Sequence, residues 1–194
     1  MRRSGLINVC FLVSVVAALL GCAATPSPAP SLGVALTPGR YLAWYGYTPG
    51  FAPDQAVYRL GSFTVTEARN TSADRFLSVF NGELTRAFTA NGLKWADTPE
   101  ACQASGEIRL IQVKGASLRF LRGRITGVLE VAGRITKGEQ VLFAFHDRLT
   151  LDSPLSPGAA APKETELLLQ HLCREFAQRL LTELLLQGLP RDSG

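Results

Sequence analysis

The chain has 194 residues, 46% of them hydrophobic and 19% charged, so it is long and apolar enough to bury the core of one domain. Twenty lysines and arginines face 16 acidic residues, and two of the basic residues, Arg2 and Arg3, lie at the very N-terminus. Because the remainder is close to neutral and has no dense run of basic residues, the composition argues against a nucleic-acid partner.

Residues 1–21 have the pattern of a secretory signal peptide. Arg2 and Arg3 precede an apolar run, Leu6 to Leu20, that is too short to span a bilayer comfortably. The run ends in Leu19-Leu20-Gly21-Cys22, which resembles the lipobox of bacterial lipoproteins. The resemblance implies cleavage before Cys22 and lipidation of its thiol, and several acyl chains anchor a protein stably. The alternative is an ordinary signal peptide followed by a chance cysteine.

The residue after the cysteine, Ala23, implies where such a lipoprotein goes. In bacteria with two membranes, an aspartate at this place usually retains a lipoprotein in the inner membrane, whereas alanine lets it reach the outer membrane, where it faces the periplasm. The next residues are rich in alanine, serine and proline, which hold a chain extended and build no core. We therefore expect a flexible lipidated tether over 22–36, one domain over 37–188 and a disordered tail over 189–194.

Residues 37–53 are rich in aromatic side chains, proline and glycine. The part from Tyr41 to Phe51, called the aromatic strap below, is predicted either to form an edge strand or to cross a face of the domain. Residues 55–67 alternate apolar and polar side chains, which predicts a strand. Ser72 or Thr71 caps a following helix that runs to about Asn91, where Asn91-Gly92 is a left-handed stop and Leu93 closes it with an apolar contact. Its predicted buried stripe is Phe76, Phe80, Leu84, Ala87 and Phe88.

Three long strands are predicted next, over about 105–120, 124–136 and 139–151. We expect a bulge near Lys114-Gly115, a turn at Arg122-Gly123 and a tight hairpin at Lys137-Gly138. A proline-rich loop follows, and the terminal helix runs from about 162 to 187, ending at Gly188 and Pro190. Because both helices are amphipathic, we predict an α+β fold: a two-layer sandwich of one mainly antiparallel sheet with both helices packed on one face.

Alternation along the three strands predicts a second, mixed sheet face that points away from the helices. It carries His146 and the basic side chains Arg109, Arg124, Arg134 and Arg148, separated by small or apolar residues. Arginines of this kind bind phosphates with two parallel hydrogen bonds. Tyr41, Trp44 and Tyr47 of the strap are the further binding candidates. In the alternative without a binding function, the strap folds over this face and the arginines form ordinary surface ion pairs.

Cys102 and Cys173 are the two cysteines left after Cys10 departs with the leader and Cys22 is lipidated. In an oxidising compartment they either pair as a disulfide or pack as small buried hydrophobes. The sequence contains no nucleophile elbow, no phosphate loop and no metal-spaced cluster, and His146 and Asp147 point to opposite faces as strand neighbours. We therefore predict a protein that is not an enzyme and that uses no cofactor and no metal.

The order of elements behind the lipobox resembles small outer-membrane lipoproteins of the YajG type and the lipopolysaccharide-assembly lipoprotein LptE. The similar parts are the helix that opens at Asp74-Arg75-Phe76-Leu77, the Arg-Gly and Lys-Gly hairpins and the leucine-rich last helix. The resemblance implies a membrane-anchored, periplasm-facing accessory of envelope assembly or export with an envelope protein as partner. The alternative is a lipid- or glycan-binding module that uses the mixed sheet face and the strap, for instance on a glycolipid.

Overall fold

A computed structural model describes residues 32–115, 125–153 and 161–188. Its strands are β1 (Thr37–Pro38), β2 (Trp44–Tyr47), β3 (Val57–Val65), β4 (Ala68–Arg69), β5 (Lys94–Trp95), β6 (Cys102–Lys114), β7 (Thr126–Lys137) and β8 (Gln140–Asp152). Its helices are α1 (Ala73–Ala90) and α2 (Ala161–Gly188). The predicted signal peptide, Cys22, most of the tether, the Arg122-Gly123 turn, Arg124 and the tail lie outside the described residues.

The strands of the described residues form one eight-stranded sheet in the order β1-β2-β8-β7-β6-β3-β5, with β4 also beside β6. The predicted meander β6-β7-β8 is antiparallel, and β2 adds to it in the same sense. By contrast, β3 pairs in parallel with β6 and β5, and β4 pairs in parallel with β6. The parallel pairing of β3 with β6 follows from α1, because a helical crossover returns the chain in the same direction.

Both helices cover the same face of the sheet, which confirms the predicted two-layer α+β sandwich. Four phenylalanine rings join the layers. The ring centroids of Phe63 in β3 and Phe80 in α1 are 5.0 Å apart, Phe80 and Phe176 in α2 are 5.5 Å apart, and Phe176 and Phe145 in β8 are 5.9 Å apart. All four side chains are buried, so the hydrophobic core lies between the sheet and the helices.

The two helices run in the same direction. Arg75 of α1 pairs with Glu166 of α2 at 3.1 Å, and Glu83, two turns further along α1, pairs with Arg174 of α2 at 3.6 Å. Extending this register places the residue after α1, Asn91, beside the part of α2 near residue 182. Because α2 continues to Gly188, its last turn and a half extends beyond the end of α1.

The ends of α1 are those predicted. Ser72 is the N-cap, and its hydroxyl accepts a hydrogen bond from the amide of Arg75 at 3.5 Å. Gly92 has a φ of 76°, and the Leu93 amide donates to the Phe88 carbonyl at 3.1 Å. The predicted stripe is buried at Phe76, Phe80, Leu84 and Phe88 and half-buried at Ala87. The described part of α1 therefore follows from its local sequence.

The bulge in the first long strand was predicted at Lys114-Gly115, but the structure has it elsewhere. Pairing with β7 shifts between Ile108 and Leu110, so Arg109 is the extra residue of β6. Gly115 has a φ of 84° and lies just after the strand. A bulge inserts one residue opposite a regular partner strand, and apolar alternation continues on both sides of it, which hides it from sequence.

The aromatic strap supplies β2, which lies between β8 and the short outermost strand β1, and does not fold over the mixed sheet face, so the covering alternative is wrong. Trp44, Tyr45, Gly46 and Tyr47 pair with β8, whose outer backbone edge would otherwise lack hydrogen-bond partners. The short strands β1, β4 and β5 have only two residues each and were not predicted, because such segments have no measurable periodicity.

Candidate functional site

The mixed sheet face, hereafter the outer face, is formed by alternate residues of β2, β6, β7 and β8. Residues paired across neighbouring strands share a face, and the pairing sets Trp44 beside His146 and His146 beside Ala132. The next row places Gly46, Ala144 and Arg134 side by side. The structure thus brings one aromatic strap residue and two of the predicted basic positions together.

Glu130 of β7 links the two basic side chains of β8 on the outer face. One of its carboxylate oxygens lies 3.2 Å from Nε2 of His146, and the other accepts a hydrogen bond from Arg148 at 2.9 Å. The Glu130 side chain is only 14% exposed, whereas that of Arg148 is 57% exposed. The pair therefore fixes a largely buried carboxylate, and Arg148 has a structural partner as well as an exposed guanidinium.

The other predicted arginines differ in their surroundings. Arg134 is exposed and forms no ion pair with the described residues. Arg109, the bulged residue, forms a longer ion pair of 3.6 Å with Glu107. Arg124 lies outside the described residues. The three arginines within the described residues therefore do not form one uniform basic cluster.

The three strap candidates do not share a face. Tyr47 pairs with Phe143, packs against the core from the helix side and donates its hydroxyl proton to the carbonyl of Phe51. Burial, with the nearby Asp54, raises the pKa of the Tyr47 phenol. Tyr41 precedes β2 and is 38% exposed, with the guanidinium of Arg40 5.6 Å from its ring centroid. Only Trp44 lies with the arginines.

Two buried carboxylates hold the start of the strap in place. Oε2 of Glu183, in α2, accepts hydrogen bonds from the amides of Tyr41 at 2.7 Å and Leu42 at 3.3 Å. Oδ1 of Asp147, in β8, accepts from the amide of Ala43 at 3.1 Å. Glu183 is 0% and Asp147 2% exposed. Three consecutive amides are therefore bound by two acids, in an arrangement hereafter called the carboxylate clamp.

The clamp places a nearly buried charge next to the core. Burial raises the pKa of Asp147, against the opposing effects of the Ala43 amide and of Arg179, whose guanidinium nitrogen is 3.8 Å away. Sequence reasoning placed Asp147 on the helix side and missed the clamp. The sequence did contain a signal for Glu183, the other acid of the clamp. It is an acid within the leucine-rich stretch Leu180–Leu185, where burying an unpaired charge would be costly.

A groove opens where α2 extends beyond α1, with a volume of about 730 Å³. Its apolar floor and walls come from Leu181, Leu185, Leu186, Tyr41 and Pro53, and its polar rim from Asp54, Asn91, Gln178 and Thr182. One end is closed where Gly188 meets Pro53: a Cβ at position 188 would lie 2.4 Å from Cδ of Pro53. We call this cleft the terminal groove. No periodicity in the sequence indicated it, because its walls come from three separate segments.

Cys102 and Cys173 are both free and buried, so the structure has the packed-thiol alternative and not the disulfide. Cys102 begins β6, and Cys173 lies in α2 in the core. Burial raises the pKa of both thiols, and the charge of Glu83 raises that of Cys173 further. Both groups therefore stay protonated at neutral pH and behave as small hydrophobes.

Within the described ranges, no three histidine, cysteine or acidic side chains are grouped so as to hold a metal ion. Neither described helix has a stretch that is both long and apolar enough to cross a membrane. His146 and Asp147 lie on opposite faces, as predicted: His146 contacts Glu130 on the outer face, and Asp147 contacts the strap and α2.

No protein-family model and no curated protein matches this chain. Similar solved structures include a minor lipoprotein from Acinetobacter baumannii, with 16% identity, a TM-score of 0.46 and coverage of 70% of this chain and 96% of that one. A DUF330 protein from Xanthomonas campestris has 12% identity, a TM-score of 0.47 and coverage of 73% and 93%. Rare lipoprotein B from Shewanella oneidensis has 14% identity, a TM-score of 0.39 and coverage of 66% and 95%. Similarity at this level does not assign a function to the chain.

Proposed function

We propose that this protein is a lipid-anchored, non-catalytic accessory of envelope assembly or export that sits on the outer membrane and faces the periplasm. The lipobox Leu19-Leu20-Gly21-Cys22 carries the proposal, because lipidation at Cys22 holds the following domain at a membrane surface. In this reading, the protein acts through contacts with an envelope protein, and its folded domain presents the contact surface.

The roles of the buried polar groups support an interaction protein. Glu183 and Asp147 bind backbone amides of the strap, and Glu130 binds His146 and Arg148. Each of these acids serves to hold a segment or a side chain in place. Groups committed to such bonds are poorly suited to transferring protons to a substrate.

The outer face is the surface that we assign to the partner. Arg134 and Arg148 are exposed there, beside the partly exposed Trp44 and the buried side chains of Ala132 and Ala144. Arginine and tryptophan contribute strongly to protein interfaces, since both combine apolar area with directed polar groups. We expect the partner to bring carboxylates to the two guanidinium groups.

Cross-linking in cells tests this assignment. The full chain is compared with the double variant Arg134→Ser/Arg148→Ser and with a matched control, Arg75→Ser/Arg174→Ser, which removes two arginines from the helical layer. Recovery of an envelope protein with the wild type and the control, but not with the outer-face variant, is the expected result. Equal recovery in all three places the contact elsewhere. A glycolipid recovered in place of a protein supports the binding-module alternative.

The anchor has its own test. Cys22→Ser should give unprocessed precursor or protein that leaves the membrane fraction, judged by intact mass and fractionation. Unchanged mass and membrane location in this variant would show that the lipobox does not operate, and the proposed function would fail with it.

A further inference from the structure

The terminal groove has the size and composition of a binding site. Its volume of about 730 Å³ lies within the range of small-ligand pockets. Leu181 is buried at its floor, while Leu185 and Leu186 are half-exposed because α1 ends too early to cover them. Tyr41, at the opposite wall, is a large hydrophobic side chain with 38% of its surface exposed. An apolar occupant would bury all of this surface.

The charge around the groove is predominantly negative. Because α1 and α2 run in the same direction, both helices end at the groove, and each helix end carries a partial negative charge of about half an elementary charge. Neither helix has a basic residue in its last turn to offset it. The exposed carboxylate of Asp54 adds to this charge and forms no ion pair among the described residues.

Two further charged groups adjoin the groove wall at Tyr41. The buried carboxylate of Glu183 lies behind it, 2.7 Å from the Tyr41 amide nitrogen. The guanidinium of Arg40 stands over the Tyr41 ring. Arg179 of α2 also lies near the start of the strap, but its guanidinium is 3.8 Å from the carboxylate of Asp147, so these two charges offset each other. Asp54, Glu183 and the two helix ends together outweigh Arg40, so the groove favours a cationic group on its occupant.

The rim suits a peptide better than a bare hydrocarbon chain. The Gln178 amide and the Thr182 hydroxyl line the groove on exposed turns of α2, and Asn91 lies across from them at the end of α1. The Thr182 hydroxyl already donates to the Gln178 carbonyl at 2.7 Å, and the Asn91 amide nitrogen donates to the Ala87 carbonyl at 2.8 Å. The oxygens of these two side chains and the Gln178 amide can still bind the backbone of a peptide, whereas an acyl chain offers them nothing.

From these observations we propose that the terminal groove binds an apolar segment of a partner protein that carries a lysine or arginine next to its apolar side chains. The apolar side chains lie on Leu185 and Leu186, and the basic group lies toward Asp54 and the helix ends. The proposal rests on the proposed role as an interaction protein and adds a second contact surface, remote from the outer face.

Two synthetic peptides test it directly. Both are amidated and fluorescently labelled and share the apolar sequence Leu-Ala-Leu-Leu-Ala-Leu; one ends in two lysines and the other in two glutamates. Binding is measured by anisotropy to the full chain in phosphatidylcholine nanodiscs, with empty nanodiscs as the blank. We expect the lysine peptide to bind on the order of five-fold more tightly than its twin, and the difference to shrink in high salt.

Two variants identify the groove as the binding site. Leu186→Ser removes apolar surface from the floor, and Leu167→Ser is the matched control near the start of the same helix. Asp54→Asn removes the rim charge, and Asp97→Asn is the control outside the groove. Leu186→Ser should abolish binding, and Asp54→Asn should lower the lysine preference about three-fold, while both controls bind like the wild type. Each variant's melting curve confirms that it is folded.

Equal affinity of the two peptides for the wild-type protein overturns the proposal, as does full binding by folded Leu186→Ser. Tighter binding of the glutamate peptide also overturns it. Failure of the groove proposal can be distinguished from failure of the proposed function. If Leu186→Ser still cross-links to an envelope partner, the accessory role is supported and the groove is not its contact surface. If the lysine peptide binds selectively but no envelope partner is recovered, the groove is a binding site and the accessory role fails.

Discussion

The two faces of the central sheet come from the same strands but are stabilised in different ways. On the helix face, Phe143 and Phe145 of β8 are buried in a ring cluster that includes Phe176 of α2. On the outer face, the alternate residues His146 and Arg148 are held by hydrogen bonds to Glu130. The helix face thus contributes stability through apolar packing, while on the outer face the buried His146 and Glu130 are held by hydrogen bonds and Arg148 stays exposed.

The carboxylate clamp breaks this division, because it puts charged groups on the packed side. Asp147 projects to the helix side from β8, the strand that also supplies Phe145. Glu183 projects from α2, and the two acids bind neighbouring amides of the strap. The backbone amides of residues 41–43 bind one oxygen of each acid, and the guanidinium of Arg179 lies 3.8 Å from the other oxygen of Asp147. The two faces therefore differ in which hydrogen-bond partners they offer. Where backbone amides lie within hydrogen-bonding distance, acidic side chains can also be buried on the packed side.

The largest effect is expected for Phe176→Ala. Phe176 is 0% exposed and packs against rings from both α1 and β8. Its removal leaves a cavity between the layers, so the free energy of unfolding should fall by about 3–5 kcal/mol. Urea denaturation measures this loss. A loss below about 1 kcal/mol would show that the ring cluster is not the centre of the core.

Glu183→Ala should have the next largest effect, because it leaves the amides of Tyr41 and Leu42 without their acceptor. One unsatisfied buried group costs about 1–3 kcal/mol, and we expect a loss of about 2–3 kcal/mol in total. Hydrogen exchange should speed up at residues 41–43 before it does so in β7. Glu166→Ala, which removes an exposed acid of the same helix, serves as the control and should change stability by less than about 0.5 kcal/mol.

Asp147→Asn sharpens the comparison through pH. Burial raises the folded-state pKa of Asp147, so its contribution to stability is complete below the unfolded pKa and is lost as pH rises through the folded pKa. The asparagine cannot titrate, yet it retains an oxygen for the Ala43 amide. The destabilisation caused by the substitution should therefore be larger near about pH 4 than near about pH 7 in urea denaturation. A pH-independent difference would contradict the raised pKa.

The smallest effects are expected on the outer face, and there the two exposed arginines should differ. Arg134→Ser removes an exposed side chain with no ion pair in the described part of the chain and should change stability by less than about 0.5 kcal/mol. Arg148→Ser removes a partner of the largely buried Glu130 and should cost about 1 kcal/mol. Thermal melts of both variants measure the two stability losses. Equal losses would mean that the Glu130 pair contributes no more than an ordinary surface contact.

Much of the fold was predictable because its signals are local. Ser72 and Gly92 determine where α1 starts and stops, its apolar residues fix the buried face, and the β7–β8 alternation separates Phe145 from His146. The Lys137-Gly138 turn follows directly from two adjacent residues, with a Gly138 φ of 57°. Such features depend on neighbours a few residues away, so the sequence alone determines them.

The tertiary structure decided everything that joins distant segments. The bulge at Arg109 depends on how β6 pairs with β7, and the clamp joins residues separated by more than one hundred positions. The terminal groove exists because α2 extends beyond a parallel α1 and meets Tyr41 and Pro53 there. Periodicity shows which side of an element is apolar, but it does not specify register, helix direction or the partner of a buried acid. Those are set by packing across the whole chain.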